Sequence, residues 1–423
     1  MIGLMLSGCS DKDSPAPAPD LGSGKSYAGS NLELYYNGEQ MAGKSAMVKV
    51  ASGEATMTFD SSFDLSMLTG MGLTGELPAP GVTPGDAVIT LTSAAHEGDG
   101  AYDVAGSADT DYVTFNYTGS IGADKMTFAI TDARLKNQAL AGNVFAPAPI
   151  VKQGVADYTS LPFHLVWELD PAAGIDLPLS EVLKVLATAP VIPVYEGTAY
   201  TSVAQAFVSL VKTIALTESG NVPVMYVSTL GGAAHIATTC GNMMQYVPTQ
   251  SGLRLYLNPL QVVSEALLAL SDNKDDAKFD FATLLKKSPA GRAAATAGDG
   301  AEGATDPALT RAMIGVLLKA LAPQIAGGVP LTVEPTAAGA DIYFDTATSV
   351  TFLATLLQEA MKSPEIMAAV QQALGGVEIP GVRSEQLAGI LQQLPQYLIK
   401  TTKLEIGLQL VKVPAADQSK SAL

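Results

Sequence analysis

From Leu32 to about Ile130 apolar residues recur at every second position. Leu32, Leu34 and Tyr36 alternate with Glu33 and Tyr35, and Asn37-Gly38 follows, a pair in which both residues tolerate positive φ and so favour a tight hairpin turn. A second strand runs through Ala46, Val48 and Val50, and Ser52-Gly53 turns into a third that carries Ala55, Met57 and Phe59. Further strands are predicted at Val88 to Thr92, at Tyr112 to Thr118 with Val113, Phe115 and Tyr117 on one face, and at Met126 to Ile130. One longer loop separates them, from Leu65 to Asp86. Short alternating segments with turn signals between them predict an antiparallel meander. Closing it into a small β-barrel or sandwich removes exposed strand edges.

After the proline-rich Ala146-Pro-Ala-Pro149 the period lengthens towards 3.6. Helical spacing appears at Leu179 to Leu186 and at Val203, Phe207, Leu210, Val211 and Ile214. It returns at 259–270, 279–287, 308–321, 349–361, 364–374 and 384–400. Asp306-Pro307 and Ser363-Pro364 each set a capping residue before a proline at the first helical position. Short strands interrupt the helices at 223–228, 243–247, 253–257, 331–334 and 340–344, and a last one spans 403–411. Within this region Tyr246-Val-Pro248-Thr249-x-x-Gly252 through Asn258 aligns with Val333-Glu-Pro335-Thr336-x-x-Gly339 through Asp345, 87 residues on (248 to 335). Pro-Thr-x-x-Gly supplies a hairpin turn, so the reading is a duplicated helix–β-hairpin–helix unit. The fold class expected is therefore α+β: an antiparallel β-barrel or sandwich over residues 27–148, then a larger helix-rich domain over 149–423 that holds the repeat.

The chain starts Met-Ile-Gly-Leu-Met-Leu6-Ser7-Gly8-Cys9-Ser10. An apolar stretch ending in Leu-Ser-Gly-Cys resembles the lipobox of bacterial lipoproteins. The resemblance implies that residues 1–8 are the remnant of a signal peptide and that Cys9 receives lipid. Multiple acyl chains anchor a protein stably, at about 0.8 kcal/mol per buried methylene. Ser10-Asp11-Lys12-Asp13 after the cysteine resembles the surface-export signal of Bacteroidetes lipoproteins, which implies the outer membrane and, beyond it, the cell surface, with a periplasm-facing attachment as the alternative. Residues 9–26, with Pro15, Pro17 and Pro19 alternating with alanine, read as an extended tether. Tyr27-Ala-Gly29, Leu32 to Gly38 and Gly43-Lys-Ser together resemble the start of calycin-like β-domains in Bacteroidetes outer-membrane lipoproteins; that family brings no catalytic residues to transfer.

Composition narrows the chemistry. There are 41 acidic against 24 basic residues, a net charge of −17, which argues against a nucleic-acid partner. Only three histidines and two cysteines occur, so local metal-ligand spacing is missing and neither a metal nor a cofactor is expected. With Cys9 lipidated, Cys240 reads as a buried, inert thiol. Gly22-Ser-Gly24-Lys25-Ser26 lacks the phosphate-loop glycine at Pro19, and the glycine strings 70–75 and 298–303 lack the strand–turn–helix context of dinucleotide binding. His164 and Glu168 share a face if 163–169 is a strand, with Trp167 opposite and buried. The acidic cluster at 272–280 does not follow the Ca²⁺-loop order. Aromatic side chains make up 6% of the chain, and Tyr35, Tyr112 and Trp167 are the candidates for a binding surface.

These signals point to a membrane-anchored, non-enzymatic binding or accessory lipoprotein for an apolar or glycan ligand. Two other classes stay open: an extracytoplasmic hydrolase whose carboxylates converge from distant segments, and a docking subunit that partners another outer-membrane protein.

Overall fold

A computed structural model describes residues 20–414, apart from 42, 51–55, 66–75, 93–95, 99–100, 154–157, 174–177, 189–191, 194–199, 229–234, 262–306, 365 and 368–392. Cys9, the tether up to residue 19, the predicted helix at 279–287, both glycine strings and the acidic cluster at 272–280 lie outside the described residues.

The alternating region builds two sheets. β1 (Lys25–Tyr27), β4 (Lys44–Val50), β5 (Thr56–Asp64) and β6 (Glu76–Pro78) pair in that order, and β7 (Val88–Thr92) joins the same edge of β5. The second sheet runs β3 (Glu39–Gln40), β2 (Leu32–Tyr36), β11 (Met126–Leu135), β10 (Val113–Ile121), β9 (Ala101–Asp109), β8 (His96–Gly98). The two pack face to face, with Phe59 and Phe128 at 4.4 Å between ring centroids. The expected meander is corrected at its centre: β2 pairs with β11 in parallel, Leu32 opposite Met126 and Tyr36 opposite Ile130.

The Asn37-Gly38 turn forms with φ of 50° and 87°, which a β-branched residue would resist. Its side chain also acts at a distance. The β10–β11 register shifts between Thr114 and Asn116, so that Thr131 and Asp132 are both exposed and Asp132 takes a φ of 53°. Asn37 Oδ1 accepts from the Ala133 N–H at 3.1 Å, beside that bulge.

Residues past 142 correct the fold class. The chain is strand-rich, 50% strand against 25% helix, and its largest element is a curled antiparallel sheet of half-barrel form, not a helix-rich domain. Its strands are β12 (Asn143–Pro147), β15 (Phe163–Leu169), β18 (Val211–Leu216), β19 (Val224–Ser228), β20 (His235–Thr238), β21 (Met244–Pro248), β22 (Gly252–Leu257), β23 (Val329–Pro335), β24 (Gly339–Phe344) and β25 (Thr401–Lys412). The order is β20-β19-β18-β12-β25-β24-β23-β22-β21, with β15 also beside β25. Two small pairs lie outside it, β13 (Val151–Lys152) with β14 (Tyr158–Ser160) and β16 (Ile192–Pro193) with β17 (Tyr200–Thr201).

Helices α1 (Leu179–Thr188), α2 (Val203–Leu210), α3 (Pro307–Ile325) and α4 (Thr346–Ala360) accompany the sheet. The expected helix through Ile214 ends at Leu210, because Val211, Thr213 and Ile214 are β-branched and pair with β12 and β19 instead. The two Pro-Thr-x-x-Gly turns each close a hairpin, with Thr249 N–H to Gly252 O at 2.8 Å and Thr336 N–H to Gly339 O at 3.0 Å. The hairpins lie side by side in the sheet through β22 and β23. Among the described residues no helix is long and apolar enough to cross a membrane.

One hydrophobic cluster links both halves, running from Leu32, Phe59 and Phe128 through Phe145 and Leu216 to Tyr246, Leu253, Ala340 and Leu410. A second cluster sits where α1 and residues 394–398 cover β15 and β25, around Trp167, Leu179 and Leu404.

Candidate functional site

Along β25, Leu404, Ile406, Leu408 and Leu410 turn one way, into the two clusters. Lys403, Glu405, Gly407 and Gln409 therefore turn the other way. The register sets His164 of β15 opposite Gly407, and Gly407 opposite Tyr343 of β24. Gly407 has no side chain to fill the space between them, and a Cβ there would fall 2.4 Å from the Tyr343 Cα. The imidazole and phenol rings stack in that space, 4.3 Å apart and 11° from parallel.

His164 lies between two carboxylates. Its Nδ1 is 3.0 Å from Asp341 Oδ2, and its Nε2 is 2.9 Å from Glu405 Oε2. A carboxylate only accepts, so both contacts are hydrogen bonds when both ring nitrogens carry protons. The three side chains are 13–14% exposed. Lys403 Nζ stands 3.3 Å from Glu405 Oε2, and the Tyr343 hydroxyl donates to Glu334 Oε2 at 3.2 Å. Glu334 sits directly opposite Asp341, whose Oδ1 is buried without a hydrogen-bond partner among the described residues. Burial first, then Glu405 and Glu334, push Tyr343 up to about 12. The arrangement can hold a proton between two carboxyl groups, with the ring fixed by stacking and by hydrogen bonds at both nitrogens.

A different polar surface covers the outer face of β9, β10 and β11. Ser107, Asp109, Thr114, Asn116 and Asp132 line a hollow of about 350 Å³. Asn116 Nδ2 donates to Asp132 Oδ2 at 3.0 Å, and Lys136 pairs with Asp109. Among the described residues no group of three or more His, Cys, Asp or Glu side chains is arranged to hold a metal ion.

Of the residues singled out by sequence, Tyr35 is half-buried on β2 and shares the outer face of that same sheet. Tyr112 is 41% exposed immediately before β10, its ring lying over Gly85, where a Cβ would fall 2.6 Å from it. Trp167 is buried, and its Nε1 donates to Thr401 Oγ1 at 2.9 Å. The three stand on separate elements. Glu168 is exposed opposite Lys403, and His164 faces Asp341 and Glu405 instead. Cys240 is half-buried rather than buried, its thiol donating to Glu39 Oε2 at 3.5 Å.

Sequence reading did not reach Asp341, Glu405, Asn116 or Asp132. A faint signal exists: Asp341 and Tyr343 flank Ile342, and Glu405 and Gly407 flank Ile406, each a polar face on an alternating strand. The partners of His164 lie 177 and 241 residues away, which spacing does not reveal. The fold and these two polar surfaces define a strand-rich protein with a carboxylate-flanked histidine on its largest sheet. A comparison with family models, with curated proteins and with solved structures finds no match to this chain.

Proposed function

We propose that the chain is a lipid-anchored binding or accessory protein of the bacterial outer membrane, of the Bacteroidetes lipoprotein kind, displayed at the cell surface and taking an apolar or glycan ligand. The observation that carries this reading is Leu6-Ser7-Gly8-Cys9 followed by an acidic run and an alternating Pro-Ala spacer. Among the described residues Leu21 is already in the core at 2% exposure and Lys25–Tyr27 is a strand, so the tether read over 9–26 ends before Leu21. Cys9 is the membrane-facing residue, and the broad strand surfaces beyond the spacer supply the area for a ligand or for an outer-membrane partner.

Labelled palmitate incorporated in a Gram-negative host tests the anchor. The wild-type chain is expected to carry label and to pellet with membranes, and Cys9→Ala to lose both; a Cys9→Ala chain that still pellets, or a wild-type chain without label, overturns the reading. Native mass spectrometry of the soluble Cys9→Ala protein, purified from cells that supply lipids and glycans, tests the ligand.

The convergence of Asp341 and Glu405 on His164 supports a second reading, an extracytoplasmic hydrolase. It requires that the purified chain cleave a panel of nitrophenyl glycosides and esters, and that Asp341→Asn and Glu405→Gln each abolish the cleavage. A chain inert towards the whole panel removes this reading.

A further inference from the structure

Cross-strand register orders the outer face of the β8–β11 sheet into rows. Ala105, Thr118, Ala129 and Tyr35 form one row across β9, β10, β11 and β2. The next row holds Ser107, Asn116 and Thr131, and the one beyond it Asp109, Thr114 and Arg134. The bulge adds Asp132 between these last two rows and turns its carboxylate onto the face. The hollow of about 350 Å³ opens there, at the lower end of the ~300–1,000 Å³ typical of ligand pockets.

Its side chains combine paired acceptors with a donor. Asp132 and Asn116 already lie within one hydrogen bond of each other, so two neighbouring hydroxyls of a ligand can bridge the carboxylate and the amide. The adjoining row carries the small side chains of Ala105, Thr118 and Ala129 and ends at Tyr35. Two carboxylates, Asp109 and Asp132, line the hollow; Lys136 pairs with Asp109, which leaves the Asp132 carboxylate to disfavour an anion.

We infer that this hollow is a subsite for one neutral pyranose unit of a glycan, Asn116 and Asp132 taking vicinal hydroxyls while the chain runs over Ala129 towards Tyr35. The inference rests on the binding-protein reading above and selects the glycan from its two ligand classes.

Affinity electrophoresis and calorimetry of the full-length Cys9→Ala protein with dextran, yeast mannan, xyloglucan and polygalacturonate test it. At least one neutral polysaccharide is expected to bind and polygalacturonate is not. Asn116→Ala and Asp132→Gly should each weaken that binding about ten-fold, the scale of one lost hydrogen bond to a charged or amide partner. Glycine suits a φ of 53°, so Asp132→Gly removes the carboxylate while keeping the bulge. Tyr35→Ala should weaken the binding by a smaller factor. Equal binding by wild type and variants overturns the subsite but leaves glycan binding standing. Binding of polygalacturonate alone, or of no polysaccharide, also overturns the subsite, while the ligand found by mass spectrometry and the palmitate label decide the wider reading independently.

Discussion

Lys44 is a charged side chain in a place that disfavours charge. It is 4% exposed, its Nζ donates to the Gly81 carbonyl, and the Phe63 ring lies 5.6 Å away. No carboxylate forms a salt bridge with it among the described residues. Burial pushes the ammonium group down to about 7 from the usual 10.5. Between these values the unfolded chain holds a proton at this residue and the folded chain does not, so unfolding takes up a proton. Stability should therefore rise with pH across that window, by up to ~1.4 kcal/mol per pH unit from this residue, and its contribution should level off below about pH 7. Lys44→Met keeps the stem and deletes the charge. It is expected to raise stability at pH 7 by about 1–4 kcal/mol and to flatten the slope between pH 7.5 and 9.5, read from urea midpoints at each pH. A variant with the wild-type slope would show that another group sets the pH dependence.

The duplicated hairpins carry their next element with them. Asn258 Oδ1 accepts from the N–H groups of Leu260 and Gln261, and Asp345 Oδ1 accepts from Thr348 N–H at 2.8 Å, so aligned residues of the two copies start a helix in the same way. Asn258→Ala and Asp345→Ala should each lower stability by about 1 kcal/mol, with additive effects in the double variant because the caps accept from different N–H groups, those of Leu260 and Gln261 against that of Thr348, as measured by urea denaturation. These local devices were legible in the sequence: Asn37-Gly38, both Pro-Thr-x-x-Gly turns and the alternation from Leu32 to Ile130 depend on neighbours a few residues apart. The pairings were not. Nothing near Leu32 marks a parallel partner at Met126, and Val211 and Ile214 read as the end of a helix until β12 and β18 meet. The candidate sites divide in the same way. His164 and Tyr35 stood out as residues, but the clasp around His164 depends on Gly407 holding two strands' rings together, and the hollow depends on a one-residue bulge at Asp132, which shifts register without a glycine to announce it.

At the scale of the molecule, β25 closes the largest sheet after most of the chain has been laid down. Residues 401–408 pair with β15, 406–411 with β24, and 410–412 with β12, so one strand joins elements that begin at Asn143, Phe163 and Gly339. Leu404 and Leu410, both at 1% exposure or less, place the same strand in two different hydrophobic clusters. A fold whose central strand is contributed near the end has many contacts of long sequence separation, and such topologies fold slowly. Truncation after Lys400 removes β25 and is expected to leave α1 and the β18–β19 pair without a completed sheet, with loss of near-ultraviolet dichroism and of resistance to trypsin in the whole chain rather than in its C-terminal part alone. A synthetic peptide of residues 401–414 added in trans should restore part of that resistance. Were the truncated chain instead to keep a protease-resistant core over residues 27–148 with native spectra, the cluster running from Leu32 to Leu410 would not be a single cooperative unit, and the N-terminal sheets would fold independently of the strand that closes the molecule.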